Sequence, residues 1–525
     1  MPAIDDEIEA LTEDQRSVDV GTHMTLSKLL SGINVSKIFQ TNYGRMVVTH
    51  DVEIRSIQYD SRRVERGDLF VALRGSVNDG NIFITDAIGK GAHAVMTDMD
   101  NALSDSYFMH SGVVKVVVPD ARAALGQMSS TYYGNPSEKL AMIGVTGTNG
   151  KTTTTYVIKA LQETRGIKTG LVGTINYQIG DEVFPATHTT PESLELHQLL
   201  ARMVENGCAS AVMEVSSHAL DQHRVQGIGF RVAVFTNLTQ DHLDYHGSME
   251  KYFDAKKILF DSLGPDACAV INVDDEWGKK LSLSVHSKKI TYGMDPSAAV
   301  SAGEIELSLK GARFSVLHGN VTTRIESSLM GRFNVSNLLA SFAAGLALGI
   351  PEETICQVFR SIKPVRGRFE QLHSPRGWTA VIDYAHTPDA LEKVLMAVKE
   401  ILRASTDGRI ITVFGCGGNR DRTKRPVMGR IASELSDVTI VTSDNPRHEE
   451  QETIIDEIMI GIGKKDQISR EADRAKAVRM ALDLARKGDI VLVAGKGHEE
   501  YQVIGNTKIH FSDREIVEEY LRTTA

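Results

Sequence analysis

Seven consecutive residues, Gly147-Thr148-Asn149-Gly150-Lys151-Thr152-Thr153, hold the most specific chemistry in this chain. Loop glycines let backbone N–H groups close around phosphate oxygens, and the N-terminus of a following helix adds partial positive charge. A lysine and a hydroxyl ending such a loop suit a nucleoside triphosphate: Lys151 would reach the terminal phosphates and Thr152 would hold a magnesium ion. That reading demands a buried strand before the loop and a helix after it. Leu140–Val145 is an apolar run of strand length, and Tyr156–Leu161 has helical spacing. One departure is visible: the common pattern has glycine where this chain has Val145.

Other reactive side chains cluster downstream. Glu214 lies near the end of the apolar run Ser210–Val215, just before Ser216-Ser217-His218. A carboxylate at the C-terminal end of a strand beside a phosphate loop can bind magnesium, and a salt bridge would account for it equally well. The next run, Val232–Thr236, leads into a segment holding Asp241, His242, Asp244 and His246. Two histidines and two aspartates so close together favour metal or phosphate work. Lys256, in Tyr252-Phe253-Asp254-Ala255-Lys256, reads on its own as part of a solvated helix face.

At 525 residues the chain is too long for one core. A hydrophobic content of 42% and a charged content of 24% suit a soluble globular protein. The net charge of −10 argues against general nucleic-acid binding, which recruits excess Lys and Arg. Cys208, Cys268, Cys356 and Cys416 show neither metal-ligand spacing nor a disulfide framework and read as small buried side chains. The acidic N-terminus has no apolar signal region and no run approaches the ~20 apolar residues of a membrane span, so a cytoplasmic location is expected.

Strand-then-helix alternation with near-continuous apolar strands implies an α/β protein with mainly parallel sheets covered on both faces. Residues 1–23 are polar and acidic and read as a loose tail. Residues 24–138 form a first domain, 139–363 a central phosphate-loop domain and 364–525 a C-terminal Rossmann-like domain. Expected central strands are Leu171–Ile175, Ser210–Val215, Val232–Thr236 and Cys268–Val273; expected C-terminal ones are Thr379–Ile382, Ile410–Phe414, Val438–Thr442 and Ile490–Val493. Thr190-Pro191 reads as a helix cap followed by first-turn proline, and Ser512–Glu515 as a capping box.

Taken in order, Gly147–Thr153, Glu214–His218, Asp241–His246, Tyr252–Lys256, Asn272–Asp275, Gly331–Asn337 and Asp383–Pro388 make the chain similar to the Mur ligase family from about Leu26 to Glu519. Its members form amide bonds on peptidoglycan precursors using ATP, and their own loop shares the departure at Val145. The resemblance implies ATP contacts at Thr146, Gly147, Thr148, Asn149, Gly150, Lys151, Thr152, Asn272, Asn334, Asn337, Arg368 and Asp383. It implies catalytic roles for Lys151, Glu214, His242 and Lys256. Lys256 would carry a CO2-derived carbamate, because an ordinary lysine, with pKa ~10.4, would repel a metal. Thr152 and Glu214 would serve one Mg2+, and His242 with modified Lys256 a second.

The resemblance also separates substrates. Asp444-Asn445-Pro446-Arg447 is a turn and helix start in isolation, but at this position it matches ligases adding meso-diaminopimelate; lysine-adding relatives lack the arginine. A guanidinium grips the second carboxylate of diaminopimelate through two parallel hydrogen bonds. Arg420, Gly495 and Glu499 match the remaining amino-acid contacts, with Glu499 suited to the distal ammonium. Ser61, Thr189, Thr190, Ser216, Gln222 and Arg224 match contacts to a UDP-linked muramyl dipeptide. His386 is a general-base candidate by family position. The expected protein is a monomer without nucleic-acid or membrane partners. The lysine-adding ligase is the alternative reading. A folate polyglutamate synthetase is disfavoured by Thr189-Thr190-Pro191 and Asp444–Arg447, and a non-catalytic relative by the intact Lys151, Glu214, His242 and Lys256.

Overall fold

The computed structural model describes residues 23–42, 45–46, 51–75, 79–405, 407–463 and 467–524. The expected tail lies outside them, His23 apart. Three larger sheets organise the chain. The first has the order Lys37–Phe39, Val114–Val117, Ala94–Thr97, Leu69–Val71, Ile57–Gln58, parallel except for its first strand.

The central sheet has eleven strands. Its parallel body runs Thr169–Val172, Ser210–Glu214, Ala141–Thr146, Phe230–Phe235, Cys268–Asn272, Lys288–Gly293 and Val300–Ser308. Its middle strands are apolar and buried, as expected for a sheet with helices on both faces. Antiparallel strands extend both ends: Asn176–Ile179 with Glu182–Pro185, and Gly311–His318 with Val321–Ser327.

Two local expectations are corrected. The strand read as Leu171–Ile175 ends at Val172 because the backbone turns to donate Thr174 N–H to the Glu214 carboxylate at 2.8 Å. The helix read from Thr190 begins at Ser193. The Thr190 hydroxyl instead donates to Glu214 O at 2.9 Å and accepts from Ser216 N–H at 3.1 Å, so it is not available as a cap.

The third sheet is ordered Glu370–His373, Thr379–Asp383, Ile490–Ala494, Ile410–Phe414, Val438–Thr442, Ile468–Glu471, parallel after its first strand. Helix Pro388–Ser405 carries Leu391, Val394, Leu395 and Val398 into one buried cluster with Leu329, Met330 and Val335, so the second and third sheets share apolar packing. The helix Asp513–Thr524 starts with Glu515 N–H donating to Ser512 Oγ. All four cysteines are unpaired.

Arg474 and Asp513 form a fully buried pair. The guanidinium donates to both Asp513 oxygens at 2.8 and 2.7 Å, to Ser443 O at 3.2 Å and to Ala494 O at 3.0 Å. It therefore ties two strand ends to the last helix. Removing one partner leaves a buried charge uncompensated, whereas replacing both with apolar groups need not. Asp513→Ala should cost about 3–5 kcal/mol, and Arg474→Met with Asp513→Leu should recover most of it; denaturant unfolding followed by circular dichroism checks both.

Candidate active site

The C-terminal ends of the central parallel strands converge on the phosphate loop. Gly147 and Gly150 sit at φ +147° and +87°, and a Cβ there would come within 1.9 Å of Thr236 Oγ1 and 2.3 Å of Asn337 Oδ1. Only glycine meets both conditions. The Thr236–Thr239 segment braces the loop: Thr236 Oγ1 donates to Asn149 O at 2.6 Å, and Asn237 Oδ1 accepts from Asn149 N–H at 2.9 Å. Thr146 is buried at the strand end, its hydroxyl without a hydrogen-bond partner among the described residues.

Two lysines meet on one carbonyl. Lys151 Nζ donates to Gly147 O at 2.9 Å and to Thr148 O at 2.8 Å, while Lys256 Nζ donates to the same Gly147 O at 3.0 Å. Lys256 is buried on helix Met249–Asp261, over the Tyr252 ring, and is not on a solvated face. Burial, and then the charge of Lys151, push its amine well below the ordinary lysine range. Burial lowers Lys151 as well.

Glu214 is buried and accepts from Thr152 Oγ1 at 3.0 Å and from Thr174 Oγ1 at 3.1 Å. Arg368 Nη2 reaches Thr152 Oγ1 at 3.2 Å from the other side. A hydroxyl and a carboxylate side by side are hard oxygen donors of the type Mg2+ takes, and Mg2+ fills its remaining positions with water and phosphate. The donor set fits that ion, although among the described residues no group of three His, Cys, Asp or Glu forms a cage. His242, at φ +53°, packs edge-on against His218 and faces Tyr252; burial lowers its imidazole, favouring the neutral form.

The residues assigned to the muramyl substrate split. Thr189 meets Thr174 at 3.1 Å, and Thr190 joins Glu214 to Ser216. Arg224 donates to Thr190 O at 3.0 Å and to Gln222 Oε1 at 2.7 Å, and pairs with Glu192 at 3.0 Å. Glu192 in turn pairs with Arg122 of the first domain. Thr190 thus meets Glu214 directly and Thr189 through Thr174, while Arg224 and Gln222 join the same network through Thr190 O. Ser61 stands apart, buried in a one-turn helix of the first domain.

Asn272, Asn334 and Asn337 are buried, with Asn334 and Asn337 one turn apart and hydrogen-bonded at 3.1 Å. Asn272 Nδ2 donates to Thr236 O at 2.7 Å. Asp383 is buried and accepts from Phe369 and Ala385 N–H at 2.7 and 2.8 Å, so it fixes the backbone around Arg368. The third domain also touches the loop through a residue the sequence reading missed. Asp389 Oδ2 accepts from Asn149 Nδ2 and Thr239 Oγ1, both at 2.9 Å. A first-turn acid after Pro388 is a common helix feature, which hid it.

The remaining candidates gather where the third sheet's strands end. Arg447, at φ +53°, donates to Gly418 O at 2.9 Å, and Arg420 donates to Asn419 O at 3.2 Å. Among the described residues neither guanidinium pairs with a carboxylate, and burial with the charge of Arg420 lowers Arg447. Asn445 Nδ2 donates to Glu499 Oε2 at 2.9 Å, and burial with the charge of Asp444 raises Glu499. Gly495 lies beside Asp444, and Pro446 sits against Gly418. Beneath, buried Arg425 holds Glu449 at 2.9 Å and Gly417 O at 3.2 Å, and Glu449 accepts from Asn419 N–H. His386 Nδ1 faces Tyr384 O at 2.8 Å; a carbonyl only accepts, so the proton is on Nδ1, and the Nε2 lone pair accepts no hydrogen bond among the described residues.

Fold and site together define a three-domain α/β enzyme with a glycine-rich strand-to-helix loop at the ends of its central strands and a cluster of charged side chains at the strand ends of its third sheet. Family models match residues 53–133 (Mur ligase family, catalytic domain), 145–345 (Mur ligase middle domain) and 367–497 (Mur ligase, glutamate ligase domain). The chain is 45% identical over 488 residues to a UDP-N-acetylmuramoyl-L-alanyl-D-glutamate–2,6-diaminopimelate ligase of Geobacter metallireducens, covering 89% of this chain and 94% of that protein. It is 42% identical over 493 residues to the protein of that name from Clostridium botulinum, covering 93% and 100%. A solved structure bearing the same name superposes with a TM-score of 0.66 at 31% identity, over 92% of this chain and 99% of the other. The chain belongs to the Mur ligase family.

Lys151→Ala should reduce nucleotide-dependent phosphate release by at least 10²–10³-fold, on the order seen when one transition-state donor is lost, with an unchanged circular dichroism spectrum. A near-normal rate would contradict the loop's assignment.

Proposed function

We propose that this chain joins meso-diaminopimelate to the γ-carboxylate of UDP-N-acetylmuramoyl-L-alanyl-D-glutamate at the expense of ATP, as a cytoplasmic monomer in peptidoglycan assembly. The observation that carries the choice of amino acid is the pair Arg420 and Arg447, two cations with no carboxylate partner within ion-pair distance among the described residues, with the charges of Asp444 and Glu499 near Arg447. A distal centre bearing both a carboxylate and an ammonium satisfies both signs. Lysine offers only the ammonium and leaves the guanidiniums without a counter-charge. Among the described residues no helix is long and apolar enough to cross a membrane.

The D-glutamate γ-carboxylate attacks the γ-phosphorus of ATP and ADP departs, leaving an acyl phosphate. Lys151 turns from the loop carbonyls to the phosphates and offsets their charge. The amine of diaminopimelate then attacks the acyl carbon, a tetrahedral intermediate forms, and phosphate leaves. His386 Nε2 is the lone pair offered for the amine proton. Thr152 with Glu214, and His242 with Lys256 as its carbamate, are the residues that would hold magnesium, which when bound supplies charge neutralisation of the transferring phosphoryl group.

Carbamylation resolves the crowding at Gly147 O. A neutral amine is what attacks CO2, and the product exchanges a second cation for an anion beside Lys151. Arg368 and Asp389 bring the third domain onto the loop, so closure assembles the site.

A phosphate-release assay with both co-substrates tests the reading: turnover should require diaminopimelate, and equal or better use of lysine would overturn it. Arg447→Ala should raise KM for diaminopimelate by on the order of 10–100-fold, matching about 1.5–3 kcal/mol for charge-assisted bonds, and barely change KM for ATP. Supplying 13C-bicarbonate should give a carbamate carbon resonance that is absent from Lys256→Met.

A further inference from the structure

Lys496 lies between the two glycines of Gly495-Lys496-Gly497 and has no exposed side-chain surface. Its amine donates to Tyr501 O at 2.7 Å and Asn445 Oδ1 at 3.0 Å, and lies 3.4 Å from Glu499 Oε2 and from Asp444 Oδ1. Asn445 Oδ1 also accepts from Val503 N–H at 3.0 Å. An ammonium and a backbone N–H can only donate, so the amide atom facing them must be oxygen. That forces Nδ2 toward Glu499 Oε2, where it donates at 2.9 Å. One glutamate oxygen is thus held twice, and Oε1 accepts no bond from the described residues.

The charges follow the same geometry. Asp444 and Glu499 are two carboxylates sharing one pocket, and Lys496 is the cation between them. Like charges this close disfavour double ionisation. With Lys496 present the acidic side keeps one net negative charge, which an incoming ammonium can meet.

We infer that Lys496 is a specificity-determining positioning residue: it orients the Asn445 amide and keeps the Glu499 carboxylate ionised to receive the substrate's distal ammonium. This rests on the amino-acid assignment above. Lys496 acts through Asn445 and Glu499, and its contribution is to the recognition of the diamino acid rather than to phosphoryl transfer.

The groups facing Glu499 are Asp444, Lys496, Arg447, Arg474, Tyr384 and Tyr501. Removing the lysine charge while the others remain leaves Asp444 to oppose ionisation, so Glu499 binds a proton at higher pH than before. Below that point the carboxyl is neutral and attracts the ammonium poorly; above it the charge returns. Lys496→Met should therefore raise KM for diaminopimelate at least tenfold at pH 7, leave KM for ATP within twofold, and recover much of the loss by pH 9. A deficit independent of pH, or equal effects on both substrates, would overturn the inference. Asn445→Asp decides the matter if Lys496→Met does not fold. It keeps acceptors toward Lys496 and Val503 but sets an oxygen against Glu499, and should also raise KM for diaminopimelate at least tenfold. An unchanged KM would overturn the inference. A wild-type enzyme that turns over lysine but not diaminopimelate would instead remove the amino-acid assignment, and this inference with it.

Discussion

Two lysine amines on the carbonyl of Gly147 set the electrostatic terms for the rest of the site. Buried like charges repel strongly because little water screens them. The arrangement is tolerated because burial pushes Lys256 toward its neutral form. The strand end at Thr146 and the glycines at 147 and 150 exist to bring these groups this close, and the brace from Thr236 and Asn237 keeps the loop from relaxing.

Charge complementarity reappears in the third domain in a different form. There Arg420 and Arg447 lie near one another, and Asp444 and Glu499 share Lys496. Both pairs are positioned from below, the guanidiniums by Arg425 and Glu449 around the Gly417–Asn419 turn, the carboxylates by Lys496 and Asn445. Arg474 and Asp513 anchor the strand ends from which these loops spring.

The two pockets communicate through few contacts. Arg368 reaches Thr152, and Asp389 reaches Asn149 and Thr239. Each joins a residue of the third domain to the glycine loop or its brace, so the position of that domain is coupled to the loop. The apolar packing of helix Pro388–Ser405 adds to the same contact.

Local pattern was enough for the buried parallel strands. Ile410–Phe414 and Val438–Thr442 run as read because strands covered on both faces are continuous apolar runs bounded by polar loops. The strand, glycine loop and helix around Gly147–Thr153 were equally legible, since their signals sit in consecutive residues. The antiparallel strands Gly311–His318 and Val321–Ser327 were not read, because their half-exposed faces mix polar and apolar residues without a strong signal. Thr190 looked like a cap and proved to be a brace for Glu214; Lys256 looked solvated and is buried. Asp389 and Asn149 are 240 positions apart, and Lys496 and Asn445 are 51 apart. Residue type and periodicity, written locally, decide which elements form and which face is apolar. Which distant charges meet is set by how crossovers stack the strand ends, a long-range property that short windows of sequence do not carry.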